Sequence, residues 1–302
     1  MRQWMIYSTI SMLIWAAWSL LSPLASAGLS GGMVQLISSV GLLPVAIGLL
    51  YFSNPRPNSQ LGKGLSLAML TGLLAGLGNV MVYRALENGG PVSVVFPISS
   101  LAPLVPVLAA PILFRERLRP IQLAAVAVAL VAIVLLNTSP SSEKATLTPS
   151  ILGSTWMMYA VLSLVIFGIT YLPQKAATYF ISDELSTVAF AGGFLVLDVV
   201  LLITDRTLTW KIPNVAGAVS LLIGVLMGFG SLTLFQAYRH GKASIVTPYV
   251  QLFPIFSVLL GVPLYGERLD LTRGIGVVLA IAAGVVLSFE KDESVHVEQA
   301  RA

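Results

Sequence analysis

The side chains of this 302-residue chain that could do chemistry are mostly uncharged, and they recur at helical spacing. Ser8, Ser11, Trp15, Trp18, Ser19 and Ser22 follow steps of three and four, which puts them on one helix face. Ser163, Phe167, Thr170, Tyr171 and Gln174 repeat the pattern in the second half. Gly72, Gly76, Asn79 and Tyr83 make a third face, and Gly224, Gly228, Ser231 and Phe235, with Gln236 alongside, a fourth. Ser93, Phe96, Ser100 and Pro103 give a fifth; Ser244, Thr247, Gln251 and Pro254, beside Tyr249, give the sixth. Hydroxyls, amides and aromatic rings suit recognition of a neutral or zwitterionic small molecule. A phosphorylated ligand would call for Lys or Arg among them, and a cationic one for an acid; these faces have neither.

Bond-making chemistry finds little support. There is no cysteine, no Gly-x-Ser-x-Gly elbow and no His-Glu-x-x-His pattern, and the two histidines, His240 and His296, fall in a loop and a tail. No phosphate-binding Gly-x-x-x-x-Gly-Lys-Ser/Thr loop is present, so ATP could act only through a partner. The reading is of a protein that is not an enzyme and needs no cofactor or metal.

The elements that carry these faces are membrane spans. Hydrophobic residues make up 56% of the chain and charged ones 10%, against about 25% charged in soluble domains. Ten apolar runs have spanning length: 4–24, 31–52, 64–85, 92–114, 119–137, 154–174, 185–204, 214–237, 243–265 and 271–289. Their length and uniformity predict an all-α integral membrane protein, not a barrel. The net charge of +4 therefore reports orientation, not nucleic acid. With the N-terminus inside, eleven basic residues fall in inner loops and tails against six outside, which predicts cytoplasmic termini. A bacterial inner membrane is the expected setting. "LASAGLS" (24–30) looks like a signal-peptidase site, but its segment has a counterpart deep in the chain, so no cleavage is expected.

That counterpart belongs to a duplication. Shifted by 151–152 residues, Leu70, Gly72, Leu74, Gly76, Gly78 and Ala85 meet Leu222, Gly224, Leu226, Gly228, Gly230 and Ala237. Ser93, Pro97, Leu101, Pro103, Glu116, Arg117 and Leu118 meet Ser244, Pro248, Leu252, Pro254, Glu267, Arg268 and Leu269. Each half has five spans, an odd number, so the second copy must enter the membrane from the opposite side. The expected layout is a first repeat over 1–137, a linker over 138–153, an inverted second repeat over 154–290 and a polar tail over 291–302. Such repeats enclose a substrate site near the midplane, where corresponding helices are broken. Pro97, Pro103, Pro248 and Pro254 mark that break, either as plain kinks or by freeing carbonyls for ligand.

These repeats, the Trp15 region and the span-end motifs "FRERL" (114–118) and "YGERL" (265–269) resemble the EamA-type family of the drug/metabolite transporter superfamily. The resemblance departs at Arg115 and Ala16, where the family commonly has glycine. It implies a secondary carrier of small metabolites, with a cavity framed by spans 1, 3, 4, 6, 8 and 9. Those are the spans with polar-aromatic faces.

Other uses compete for the same residues. Small-xxx-small patterns also mean close helix packing, and membrane Ser or Thr often bonds its own helix. Asn79, Gln174, Gln236 and Gln251 are costly facing lipid, which favours an interior position. Glu116 and Glu267 precede spans 5 and 10, where a carboxylate favours the helix N-terminus and can pair with Arg117 or Arg268; gating is the other use. Lys175 either snorkels or meets a substrate carboxylate. Asp198 is the only acid inside a span, expected to pair with Arg206 or Lys211, with proton coupling as the alternative.

Overall fold

The computed structural model describes residues 3–52, 60–105, 120–137, 154–241, 243–267 and 269–288. Glu116 with the "FRERL" motif, Pro106, Pro111, Arg268, the 138–153 linker and the tail lie outside them. The described residues form helices and no strands. In chain order they are α1 (Gln3–Ala25), α2 (Gly31–Phe52), α3 (Leu61–Glu87), α4 (Val92–Ser99), α5 (Pro120–Asn137), α6 (Thr155–Ala177), α7 (Asp183–Thr204), α8 (Asn214–His240), α9 (Ala243–Val250), α10 (Pro254–Tyr265) and α11 (Leu271–Ser288). Six of them, α1, α2, α3, α6, α7 and α8, are long and apolar enough to cross a membrane, and Pro254–Tyr265 and Gly274–Ala283 are shorter apolar helices.

The packing exchanges the two halves. Helix α3 packs on α6 and α7; correspondingly, α8 packs on α1 and α2, and α5 pairs with α11. The closest crossings depend on glycine. A β-carbon on Gly72 would stand 1.9 Å from the Phe190 carbonyl oxygen, and one on Gly224 1.9 Å from that of Ser38. Reciprocally, a β-carbon on Gly193 would stand 2.1 Å from the Met69 carbonyl oxygen, and one on Gly41 2.0 Å from that of Leu221. Every residue of the first crossing is related to one of the second by the same shift of 152 residues. Glycine lets the backbones touch where apolar burial cannot drive association, lipid being as apolar as the helices.

Two expected spans are interrupted. Both α4 and α9 stop after eight residues, and the chain makes a tight turn before resuming as helix at Leu104 and at Pro254. Proline is the cause in each. Pro103 and Pro254 lack the N–H that would bond the carbonyls of Ser99 and Val250 four residues back. Those carbonyls are recaptured by tighter bonds from Ala102 N at 3.1 Å and Phe253 N at 3.2 Å. The Ser99 and Val250 carbonyls thus each keep one hydrogen bond within the turn.

Candidate functional site

A cavity of about 110 Å³ lies between α1, α3, α6, α7, α8 and the two broken segments. Its aromatic wall centres on Trp18. That ring meets Phe96 edge-on at 5.1 Å, and Trp15, Phe167 and Phe253 at 5.9, 6.4 and 6.4 Å. Packing at these distances favours a rigid wall, because each ring is braced by its neighbours. Trp18 is fixed further by its Nε1–H, which donates to the Tyr83 hydroxyl at 3.0 Å.

The polar wall faces the second break. Asn79, Ser99, Thr170, Tyr171, Gln174, Ser231, Tyr238, Thr247 and Gln251 all reach the cavity. Gln251 Nε2 donates to the Tyr171 hydroxyl, tying the turn after α9 to α6. Tyr238 and Thr247 share a hydroxyl bond at 3.1 Å, and Lys175 Nζ donates to the Tyr238 carbonyl at 2.7 Å. The Lys175 ammonium also stands over the Tyr179 ring, 5.2 Å from its centre. Among the described residues, no carboxylate or guanidinium lines the space.

Of the residues expected there, Trp15, Trp18, Asn79, Phe167, Tyr171, Gln174 and Gln251 line the cavity. Ser19, Tyr83, Ser100, Gln236 and Tyr249 lie outside its wall. Ser19 bonds Ser257 across to α10 at 2.7 Å, and Ser100 turns back onto the Pro97 carbonyl at 2.7 Å. Tyr249 holds Thr9 of α1 at 2.9 Å, while the Gln236 carbonyl is shared with His240. Ser99 takes the place expected of Ser100; two neighbouring serines cannot share a face, and spacing from Phe96 permits either. Tyr238 falls one residue past the expected end of its span at 237, although it lies seven residues beyond Ser231 on the same face. Phe190 carries no polar signal that could single it out.

Glu267 has a different task from the one expected. Its two carboxylate oxygens accept from the backbone N–H groups of Val92 at 2.6 Å and Ser93 at 2.9 Å. It therefore caps α4 in the opposite half, not the start of α11. The exposed amides and positive end of a helix favour such a carboxylate. The same end is closed by Tyr265, whose hydroxyl donates to the Leu20 carbonyl.

The two halves of this framework match a single family model. The EamA-like transporter family aligns with residues 2–138 and again with residues 154–289. The chain belongs to that family. Among similar proteins, an uncharacterized transporter of Helicobacter pylori is 26% identical over 200 residues, 63% of this chain and 62% of its own length. The chain thus spans less than two thirds of that relative. The uncharacterized inner membrane transporter YedA of Escherichia coli K12 is 25% identical over 234 residues, 75% of this chain and 72% of YedA. A protein crystal structure superimposes with a TM-score of 0.62 at 18% identity, covering 93% of this chain and 98% of the other, which establishes a shared fold.

Proposed function

We propose that this EamA-family chain is a secondary transporter that moves small neutral or zwitterionic metabolites, such as amino acids, by alternating access. In this reading ten spans form two inverted five-helix repeats with both termini cytoplasmic, in a bacterial inner membrane. The observation that carries it is the uncharged polar-aromatic cavity set against two helices broken at equivalent positions. Trp15, Trp18 and Phe167 would hold the apolar part of a substrate, and Asn79, Tyr171, Gln174 and Gln251 its polar groups. Pro103 and Pro254 would serve as the hinges on which one segment rocks.

The exchange of contacts between halves supports inverted repeats, because two units related by a twofold axis must interact reciprocally. Lys175, held at the cavity rim by the Tyr238 carbonyl, is placed to meet a substrate carboxylate after a small movement. The mainly apolar wall also favours a second reading, export of amphipathic drug-like compounds.

The test is a thermal-shift screen of the purified protein against a metabolite panel that includes amphipathic cations, followed by liposome uptake of any hit. Trans-stimulated counterflow is expected of a carrier and absent from a channel. Replacement of Trp18, Tyr171 or Gln251 by Ala should weaken uptake while the protein stays folded. Wild-type uptake from all three variants would remove these residues from the site.

A further inference from the structure

Helix α7 holds an acid that the cavity does not use. Asp198 does not meet Arg206 or Lys211 as expected; instead Arg84 bonds Asp205 at 2.8 Å, and Asp198 makes no ion pair among the described residues. It is 7% exposed, and its Oδ1 is buried without a hydrogen-bond partner. Gln35 on α2 presents a second buried and unpartnered oxygen, Oε1. Ser39 joins the two: its hydroxyl accepts from Gln35 Nε2 at 3.2 Å and lies against the Asp198 carboxyl.

Asp198 Oδ1 and Gln35 Oε1 are thus two buried acceptor oxygens, on neighbouring helices, that receive no hydrogen bond. A neutral carboxyl would supply one, whereas an unpaired carboxylate inside a span is costly. We propose that Asp198, with Gln35 and Ser39, is a proton-binding site whose occupancy is transmitted to the cavity. Ser38, the residue before Ser39 on α2, donates to the Val34 carbonyl at 2.7 Å and stands beside Tyr83, which accepts from Trp18 in the cavity wall. A second connection runs through α3. Gly76 lies against Gln35 and Leu197, while Ala75 and Asn79 on the adjoining turns line the cavity.

The switching group is Ser39. Its hydroxyl donates to the Gln35 carbonyl at 3.1 Å. Loss of the proton from Asp198 draws that donor to the carboxylate and shifts α2 against α3, which gives the network two arrangements. Other titratable groups on the helices around α7 lie toward the ends. Tyr83, Arg84 and Glu87 are on one side, with Arg84 taken by Asp205. Tyr51, Lys63, Asp183, Glu184, Tyr238, Arg239 and His240 are at the other, with Arg239 taken by Asp183.

This deepens the transport reading by naming the coupling ion, and it can be tested without any substrate. Infrared spectra of the full chain in liposomes across a pH series should show a titrating neutral-carboxyl carbonyl band. Asp198→Asn, which keeps both a donor and an acceptor, should lack it. Gln35→Met should shift the band by removing its hydrogen-bond partner. The pH response of tryptophan fluorescence should disappear in Asp198→Asn and in Trp18→Phe. No such band in the wild type would mean that the Gln35 amide is turned over and donates to an ionised carboxylate; that overturns the proposal. So would a band retained in Asp198→Asn, one that never titrates, one unmoved in Gln35→Met, or fluorescence responses that both variants keep. Since no measurement involves uptake, failure here leaves the carrier reading standing, and loss of the carrier reading leaves the proton site standing.

Discussion

The breaks after α4 and after α9 are the same device put to two uses. Each follows an eight-residue helix, each is made by a proline without an N–H, and each recaptures the stranded carbonyl through a tighter turn. Their surroundings differ. The first is buried throughout, with Ser99 bonded to Ser163 of α6 at 2.7 Å and the start of α4 clasped by Glu267. The second has half-buried residues, and its turn presents Gln251 to the cavity and to Tyr171. A duplicated skeleton thus supplies one break clasped by the opposite half and one bonded to the cavity wall. The duplication sets where the chain breaks, and side chains set what each break holds.

The contrast is broken most directly at Glu267. Replacing it with Ala strips two backbone amides of a charged acceptor, and hydrogen bonds to charged groups contribute about 1.5–3 kcal/mol each. Partial exposure discounts this, so a loss of about 2 kcal/mol is expected, read as a lower midpoint in thermal unfolding. An unchanged midpoint would mean that the first break is no more fixed than the second.

At the second break the effect should fall on uptake. Gln251→Leu keeps the size of the side chain but loses its bond to Tyr171, and about tenfold slower uptake is expected, equivalent to about 1.4 kcal/mol. The midpoint should barely move, because the lost bond lies at a wall open to the cavity. Equal losses of stability in Gln251→Leu and Glu267→Ala would erase the distinction between the two regions.

Much of this was legible in the sequence. The shift of 151–152 residues aligned Gly72 with Gly224 and Pro103 with Pro254, and those residues make the crossings and the breaks, because glycine and proline act through their own backbone. The cavity faces on α1 and α6 were legible for a related reason: helical spacing decides which residues share a side. Partners across the fold were not. Nothing local tells Glu267 to reach α4 in preference to α11, nor tells Arg84 to take Asp205 and leave Asp198 alone. Such choices depend on which loops the packing brings together, and a charge can bond any complementary group within reach.

The aromatic wall offers a smaller test. Trp18→Phe keeps a ring against Phe96 and Phe253 but removes the donor to Tyr83. A loss of about 1 kcal/mol is expected for one neutral bond, with a similar fractional effect on uptake. If uptake falls far more than stability, the indole N–H serves the substrate and not only Tyr83.

The smallest effect is expected at the Arg84–Asp205 bridge, which joins α3 to the loop after α7 and so lies in neither break. Burial raises the affinity of the Asp205 carboxyl for protons, but hydrogen bonds from Thr207 and Arg84 outweigh it and hold the group below the usual carboxylate range. A carboxyl depressed in the folded state adds stability that is fully present above its unfolded value, about 3.9, and is lost as pH falls through the lower folded value. Acid should therefore loosen this end of α3 by under about 1 kcal/mol, since Arg84 is 27% exposed and solvent weakens the pair. Asp205→Asn should abolish that part of the acid sensitivity and leave the effects of Glu267→Ala and Gln251→Leu unchanged. Coupling between Asp205→Asn and either variant in a double-mutant cycle would show that the two breaks respond to the scaffold around them, and the division between a fixed and a working region would then have to include this bridge.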